Sequence, residues 1–198
     1  VDAVIANAGN TGISGGQLAG PGTSMFIWTP GAATSLNISS AITGTGGITK
    51  DGAGTLSLAN RQLYTGTTHV NNGTLILNGG ANTLFVSGVG AGNALNVNGG
   101  VLDLNGNNQI VAALSAGNAA VTNGGGSITS ASAATLTSTG GGTFTGTMNG
   151  SLSFTRSGNN TTTLFSDNTY TGTTTIRGGV LTLQQNGALS LTSAINNY

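Results

Sequence analysis

Apolar and polar residues alternate along most of this chain in short runs, each closed by glycine or asparagine. Thr55-Leu56-Ser57-Leu58, Thr74-Leu75-Ile76-Leu77, Leu95-Asn96-Val97, Val101-Leu102-Asp103-Leu104 and Val180-Leu181-Thr182-Leu183 all read this way. A two-residue period puts alternate side chains on opposite faces, so each run predicts a short strand ending in a turn. No stretch keeps a 3.6-residue apolar period, and abundant glycine and β-branched residues disfavour helix. One strand-turn-strand unit occurs three times: Val70-Asn71-Asn72-Gly73-Thr74-Leu75-Ile76-Leu77, Val97-Asn98-Gly99-Gly100-Val101-Leu102-Asp103-Leu104 and Ile176-Arg177-Gly178-Gly179-Val180-Leu181-Thr182-Leu183.

A longer repeat contains the first and third of these units. Tyr64-Thr65-Gly66-Thr67-Thr68 returns as Tyr170-Thr171-Gly172-Thr173-Thr174, a shift of 170 − 64 = 106 residues. The flanks follow it: Lys50 falls on Arg156, Gly52 on Gly158, Leu58 on Leu164, Gly73 on Gly179 and Leu77 on Leu183. Internal repeats of this kind imply a stack of coils. An antiparallel meander uses similar Asn-Gly and Gly-Gly turns. The parallel solenoid is favoured because the chain has almost no charge to protect the exposed edges of an open sheet. Coils of roughly 20–25 residues stacked at about 4.8 Å predict about nine turns and a rod on the order of 40 Å long. The expectation is one β-helix segment over 1–198 with two related repeats, about 38–79 and 144–185, whose equivalent positions share one place on the cross-section. Leu58, Leu77, Leu164 and Leu183 should face inward. Aliphatic columns should run inside and Asn or Thr ladders outside.

Composition sharpens this picture. Glycine is 36 of 198 residues, yet 37% are hydrophobic and net charge is zero, so the chain has a core rather than the composition of a disordered linker. Charged residues are 4%: Lys50, Arg61, Arg156, Arg177, Asp2, Asp51, Asp103 and Asp167. Zero net charge argues against nucleic acid as a partner and leaves little repulsion against self-association. Cysteine is absent, so no disulfide or thiol chemistry enters. No apolar run approaches the roughly 20 residues of a membrane-spanning helix. The sequence starts at Val1 and neither end resembles a polar cap, which reads as an uncapped piece of something larger.

Candidate chemistry is sparse. His69 reads as an exposed rung residue, replaced by Thr175 in the second copy, with no flanking nucleophile motif. Glycosidase chemistry needs two carboxylates across the bond. Asp51 becomes Ser157 in the other copy, Asp167 corresponds to Arg61, and Asp103 should point outward from its strand. The Gly runs at 99–100, 124–126 and 140–142 lack an Asp at a calcium-binding offset. Lys50 and Arg156 read as turn residues that cap strand-end carbonyls or sit in solvent. Tyr64 and Tyr170 should pack their rings at a corner with wet hydroxyls, sugar stacking being the sharper alternative. The two Thr-rich runs lie too far apart to build an ice-ordering array. No catalytic, cofactor-binding or metal-ligating residue set emerges.

The run Gly44-Thr45-Gly46-Gly47-Ile48-Thr49-Lys50-Asp51-Gly52-Ala53-Gly54-Thr55-Leu56-Ser57-Leu58, continued through Tyr64-Thr65-Gly66-Thr67-Thr68 to Leu77, resembles the autotransporter-associated β-strand repeat, also called the passenger-associated transport repeat. A second copy runs from Ser151 through Arg156 and Tyr170 to Leu183. It departs from the pattern where Asn159-Asn160-Thr161-Thr162-Thr163 replaces the Gly-Thr-Leu strand, which should loosen one rung. Pro21, Trp28 and Pro30 lie outside the pattern. The resemblance implies a right-handed parallel β-helix from a large exported surface protein. No final run of long alternating strands suggests a membrane barrel. The expectation is a non-enzymatic extracellular or cell-surface structural or adhesive protein, partnering itself, surface glycans or a neighbouring cell surface. A β-helical polysaccharide-active enzyme and an ice-binding solenoid are the alternatives.

Overall fold

The computed structural model describes residues 2–7, 9–87, 91–117, 124–189 and 194–198. Among them every regular element is a strand, and every pairing but one is parallel. The exception joins Val86–Ser87 to Ala91–Gly92 inside the long step from Thr68 to Leu95. Parallel partners lie 18 to 27 residues apart, one full coil, so the chain is a β-solenoid of about nine turns. The meander is excluded by this pairing alone.

Three faces make up each turn. The first carries Ala3–Ile5, Met25–Trp28, Ile48–Asp51, Thr68–Val70, Leu95–Val97 and Leu114–Ser115 in stacking order. The second carries Asn10–Ile13, Ser35–Ile38, Thr55–Leu58, Thr74–Leu77 and Val101–Asp103, then the first parts of Ser127–Ser138 and Thr147–Arg156. The third begins with Gln17–Ala19, Ala41–Gly44 and Leu63–Tyr64. Inward positions stack in register: Leu36, Leu56, Leu75, Leu102, Ile128 and Met148 form one buried column of the second face. Each such side chain, withdrawn from water, contributes about 2 kcal/mol.

The two copies use the same local construction. Ile48 pairs with Thr68 and Phe154 with Thr174; Thr55 pairs with Thr74 and Thr161 with Val180, every position shifted by 106. Backbone bonds shift with them: Ala59 N to Ile38 O becomes Phe165 N to Phe144 O, and Asn78 N to Leu58 O becomes Gln184 N to Leu164 O.

Their positions on the cross-section nevertheless differ, against the expectation from the repeat. The first copy starts on the first face. The second starts in the latter part of Thr147–Arg156, which stacks on the latter part of Ser127–Ser138 and through it on Gln109–Val111. That stack continues the third face: Gln62 N bonds Thr83 O, and Leu84 N bonds the Gln109 side chain. Likewise the first face passes from Leu114–Ser115 to Gly142–Phe144 through the bond Ala116 N to Thr143 O, and then to Thr161–Leu164 and Val180–Leu183. The shift of 106 residues therefore spans four turns and two further faces, not a whole number of turns. Ser127–Ser138 and Thr147–Arg156 are long because each runs around a corner, the first with a register irregularity between Ser130 and Ala134.

Leu58, Leu77 and Leu164 are fully buried as expected, but Leu183 is 43% exposed. Its strand, Val180–Leu183, pairs only with Thr161–Leu164, and no described strand covers its other edge. An inward position is dry only when coils stack on both sides. Thr161–Leu164 keeps full register despite its unusual sequence, so that rung is not loosened. The substitution shows elsewhere: Thr162, where the first copy has Leu56, is buried with an unpartnered hydroxyl.

Candidate functional site

Lys50 and Arg156 are inward strand residues, and both are fully buried. The reading of them as turn residues with heads in solvent is corrected; their role as carbonyl caps holds. Lys50 stacks between Ile27 and Val70 in an apolar column. Its ammonium donates to the carbonyls of Asp51, Gly52 and Asn72 at 3.1, 2.7 and 2.9 Å, using all three protons. Arg156 donates from Nη1 to Ser138 O at 2.9 Å and from Nε and Nη2 to Asn160 O. Turn carbonyls aim inward there because Gly52, Gly73, Gly158 and Gly179 hold positive φ. A buried carbonyl needs a donor, and a long aliphatic stem with a cationic tip supplies one while filling the column. Burial lowers the Lys50 pKa from its ordinary value to about 8, against the opposing pull of Asp51, and lowers that of Arg156 too.

The tyrosines are corrected as well. Tyr64 and Tyr170 are buried, and their hydroxyls are dry, bonded to Thr68 and Thr174 Oγ1 at 2.6 Å. Neither ring is available to stack on a sugar. Burial pushes the Tyr64 phenol well above its ordinary range. A third equivalent pair escaped the sequence reading. Gln62 accepts from Ile42 N and donates to Asn60 O, while Asn168 accepts from Met148 N and donates to Ser166 O. Positions 62 and 168 differ in residue type, which hid the match. These groups are structural; they leave the outer surface to carry function.

That surface is a set of polar ladders. On the first face, outward Ser115 Oγ donates to Asn96 Oδ1, and Asn96 Nδ2 donates to His69 Nδ1 at 3.3 Å. His69 is half-buried, and burial lowers its pKa. With the Asn96 amide as donor, the imidazole proton sits on Nε2. Asn98 Nδ2 donates to Asn71 Oδ1 at 2.8 Å, and Asn105 to Asn78 at 2.9 Å. On the third face Ile110, Thr137, Thr155 and Thr175 align as a column beside a shallow groove of about 490 Å³ that ends at Arg177. The Thr-rich runs weighed from sequence fall on different faces. The column beside Thr137 contains Ser153, whose hydroxyl is turned onto Thr173 N.

The carboxylates stand apart: Asp51 ends a first-face strand, Asp103 lies on the second face, and each accepts a local backbone N–H from Gly52 or Asn105. Among the described residues no three His, Cys, Asp or Glu side chains cluster as metal ligands, and no helix is long and apolar enough to cross a membrane. Six charged side chains remain outward over 8029 Å² of surface once Lys50 and Arg156 are placed inside. The sequence reading also missed Phe26 and Trp28, which are outward and 37% and 44% exposed. Their signal was present: Met25 and Ile27 alternate with them and are buried.

An all-strand solenoid built from two superimposable Gly-rich units defines a class of elongated repeat proteins. The passenger-associated-transport-repeat family matches the chain twice, at residues 48–77 and 154–183. The chain thus carries two stretches that match the passenger-associated transport repeat, set in a parallel β-solenoid. It is similar to the adhesin BmaC autotransporter of Brucella suis biovar 1 (strain 1330), 35% identical over 153 residues, which is 76% of this chain and 4% of the relative. The chain therefore spans a small part of that relative's length. No solved structure matches it.

Proposed function

We propose that the chain is a stretch of an autotransporter passenger that acts outside a bacterial cell, at its surface, as a non-enzymatic adhesive and structural rod. The observation that carries this is the outer surface: hydrogen-bonded Asn ladders and an aligned Thr column, with six charged side chains on 8029 Å². Such a surface meets another uncharged polar surface through many weak hydrogen bonds, with little long-range repulsion to overcome. The parallel coils supply a rigid support for these ladders, since the interior rungs are hydrogen-bonded above and below. The similarity to an autotransporter adhesin supports the same reading.

Self-association is part of the proposal. Two rods with matching ladder spacing place hydroxyls and amides at the same repeat along their lengths. Adhesion and self-association are measured with the purified chain coated on beads and, separately, by sedimentation velocity over a concentration series. Bead attachment to cells or to one another above an uncoated control supports the reading. Inert beads and a concentration-independent monomer reject it. Turnover of neutral or acidic polysaccharides by the purified chain would replace it with the enzymatic alternative.

A further inference from the structure

Trp28 and Pro30, which lie outside the repeat pattern, gather with Phe26 on the outside of the first face. Phe26 and Trp28 are two residues apart on one strand, about 7 Å, so both rings project from the same outer face. With Asp51, Gly52 and Asn72 they line a cleft of about 410 Å³, within the roughly 300–1,000 Å³ range of small-ligand sites. Trp28 is paired in register with Asp51, and its indole lies against Gly52: a Cβ there would come 2.3 Å from indole Cδ1. The glycine thus leaves room for the ring to seat.

The polar side chains of the cleft are oriented but not used up. Asp51 Oδ1 accepts from Gly52 N at 2.6 Å, and Asn72 Oδ1 accepts from Gly73 N at 2.8 Å. Asp51 Oδ2, Asn72 Nδ2 and the Trp28 indole N–H make no hydrogen bond among the described residues, so an acceptor and two donors stand beside an aromatic shelf. A purely apolar occupant would strip water from these groups without replacing it. An added β-strand has no edge to join, because Met25–Trp28 is already paired on both sides. An acidic occupant would meet Asp51, while Lys50 on the same strand points into the core with its protons engaged.

We infer that this cleft is a binding site for a neutral glycan, with one or two linked pyranose rings lying on Phe26 and Trp28 and their hydroxyls bonded to Asp51 and Asn72. The C–H face of a pyranose suits an aromatic surface, and vicinal hydroxyls suit fixed planar amide and carboxylate groups. The inference rests on the adhesive reading for its purpose, but not for its measurement. Trp28 is the sole tryptophan, so its fluorescence reports the site directly.

The full chain is titrated with neutral oligosaccharides of glucose, galactose, mannose and N-acetylhexosamines, and with sialylated and uronic-acid oligosaccharides. A saturable emission change with a neutral member is expected. Calorimetry should then show at least a tenfold loss of affinity for Trp28→Ala and a smaller loss for Asp51→Asn, with circular dichroism unchanged. No response to any neutral member, a response to acidic members alone, or undiminished affinity in both variants would overturn the site. If wild-type and Trp28→Ala beads adhere equally and Trp28 fluorescence does not titrate with any neutral member, the site is wrong and the adhesive reading stands. If neither adheres while Trp28 still titrates, the site stands and the adhesive reading falls.

Discussion

The two repeat copies share a register, a buried cation, a tyrosine–threonine bond and a pair of positive-φ glycines, yet they sit one face apart and in different surroundings. The first is enclosed by coils on both sides, and its Leu77 is dry; in the second, Leu183 is 43% exposed. Leu56 fills a column where Thr162 leaves a hydroxyl unpartnered. The comparison teaches that the repeat encodes a local unit of five strands with its turns. It does not encode an address on the rod. Because Lys50 and Arg156 each cap a turn carbonyl of their own unit, the unit can be set down on more than one face.

The largest expected contrast comes from charge in the two leucine positions. Leu77→Asp should cost about 4 kcal/mol or more, and Leu183→Asp less than about 1 kcal/mol, measured by urea unfolding. Equal losses would mean that the second copy is as enclosed as the first. The turn glycines should behave alike instead. A Cβ on Gly73 or Gly179 would lie 2.3 Å from a backbone carbonyl oxygen, so alanine at either should cost about 3 kcal/mol. A tolerated alanine in one copy would show that its turn differs from the other.

Removing the cations comes next. Lys50→Met leaves the Gly52 and Asn72 carbonyls without a donor, while Asp51 O keeps Thr29 N–H. At Arg156→Met the Ser138 and Asn160 carbonyls keep Ser157 N–H and Val180 N–H, so a loss of about 2 kcal/mol is expected at Lys50 and a smaller one at Arg156. Thr162→Val should stabilise by about 1 kcal/mol, because it removes a buried, unpartnered hydroxyl at nearly constant volume. A loss there would reveal a partner for that hydroxyl.

The smallest effect is one of pH. With the folded Lys50 pKa lowered to about 8, folded and unfolded chains are equally protonated below that value. Between about pH 8 and the ordinary lysine value the unfolded state holds more protons, so stability rises with pH. Above about pH 10 the unfolded tyrosines ionise while buried Tyr64 does not, and stability falls again. The urea midpoint of the wild type should therefore rise from about pH 8 and pass through a maximum near pH 10. The rising limb should vanish in Lys50→Arg, whose guanidinium stays charged.

Much of this was legible in the residues. Alternation marked the strands Thr55–Leu58, Thr74–Leu77 and Val180–Leu183 at their observed bounds, and the scarcity of charge favoured the parallel stack that the pairing displays. The ladders of Asn71, Asn96 and Asn98 follow from the same pattern. Lys50 and Arg156 were misplaced because a cation beside glycine ordinarily signals a wet turn. Nothing local reveals that the turn's own carbonyls point inward. Trp28 was missed although its alternation with Met25 and Ile27 marks it as outward, and its neighbours Asp51 and Asn72 lie one and two coils further along the chain.

By itself the sequence determined that the chain forms short strands, which aliphatic side chains face inward, and that two units are built alike, because these depend on period-two alternation and on backbone torsions within a few residues. Only the tertiary structure decided which face each unit occupies, that the cations and tyrosines are dry, and that Phe26, Trp28, Asp51 and Asn72 share one cleft. Those outcomes depend on how many residues each intervening coil holds. Coil lengths between 18 and 27 residues all close the solenoid, so no local pattern specifies the sum.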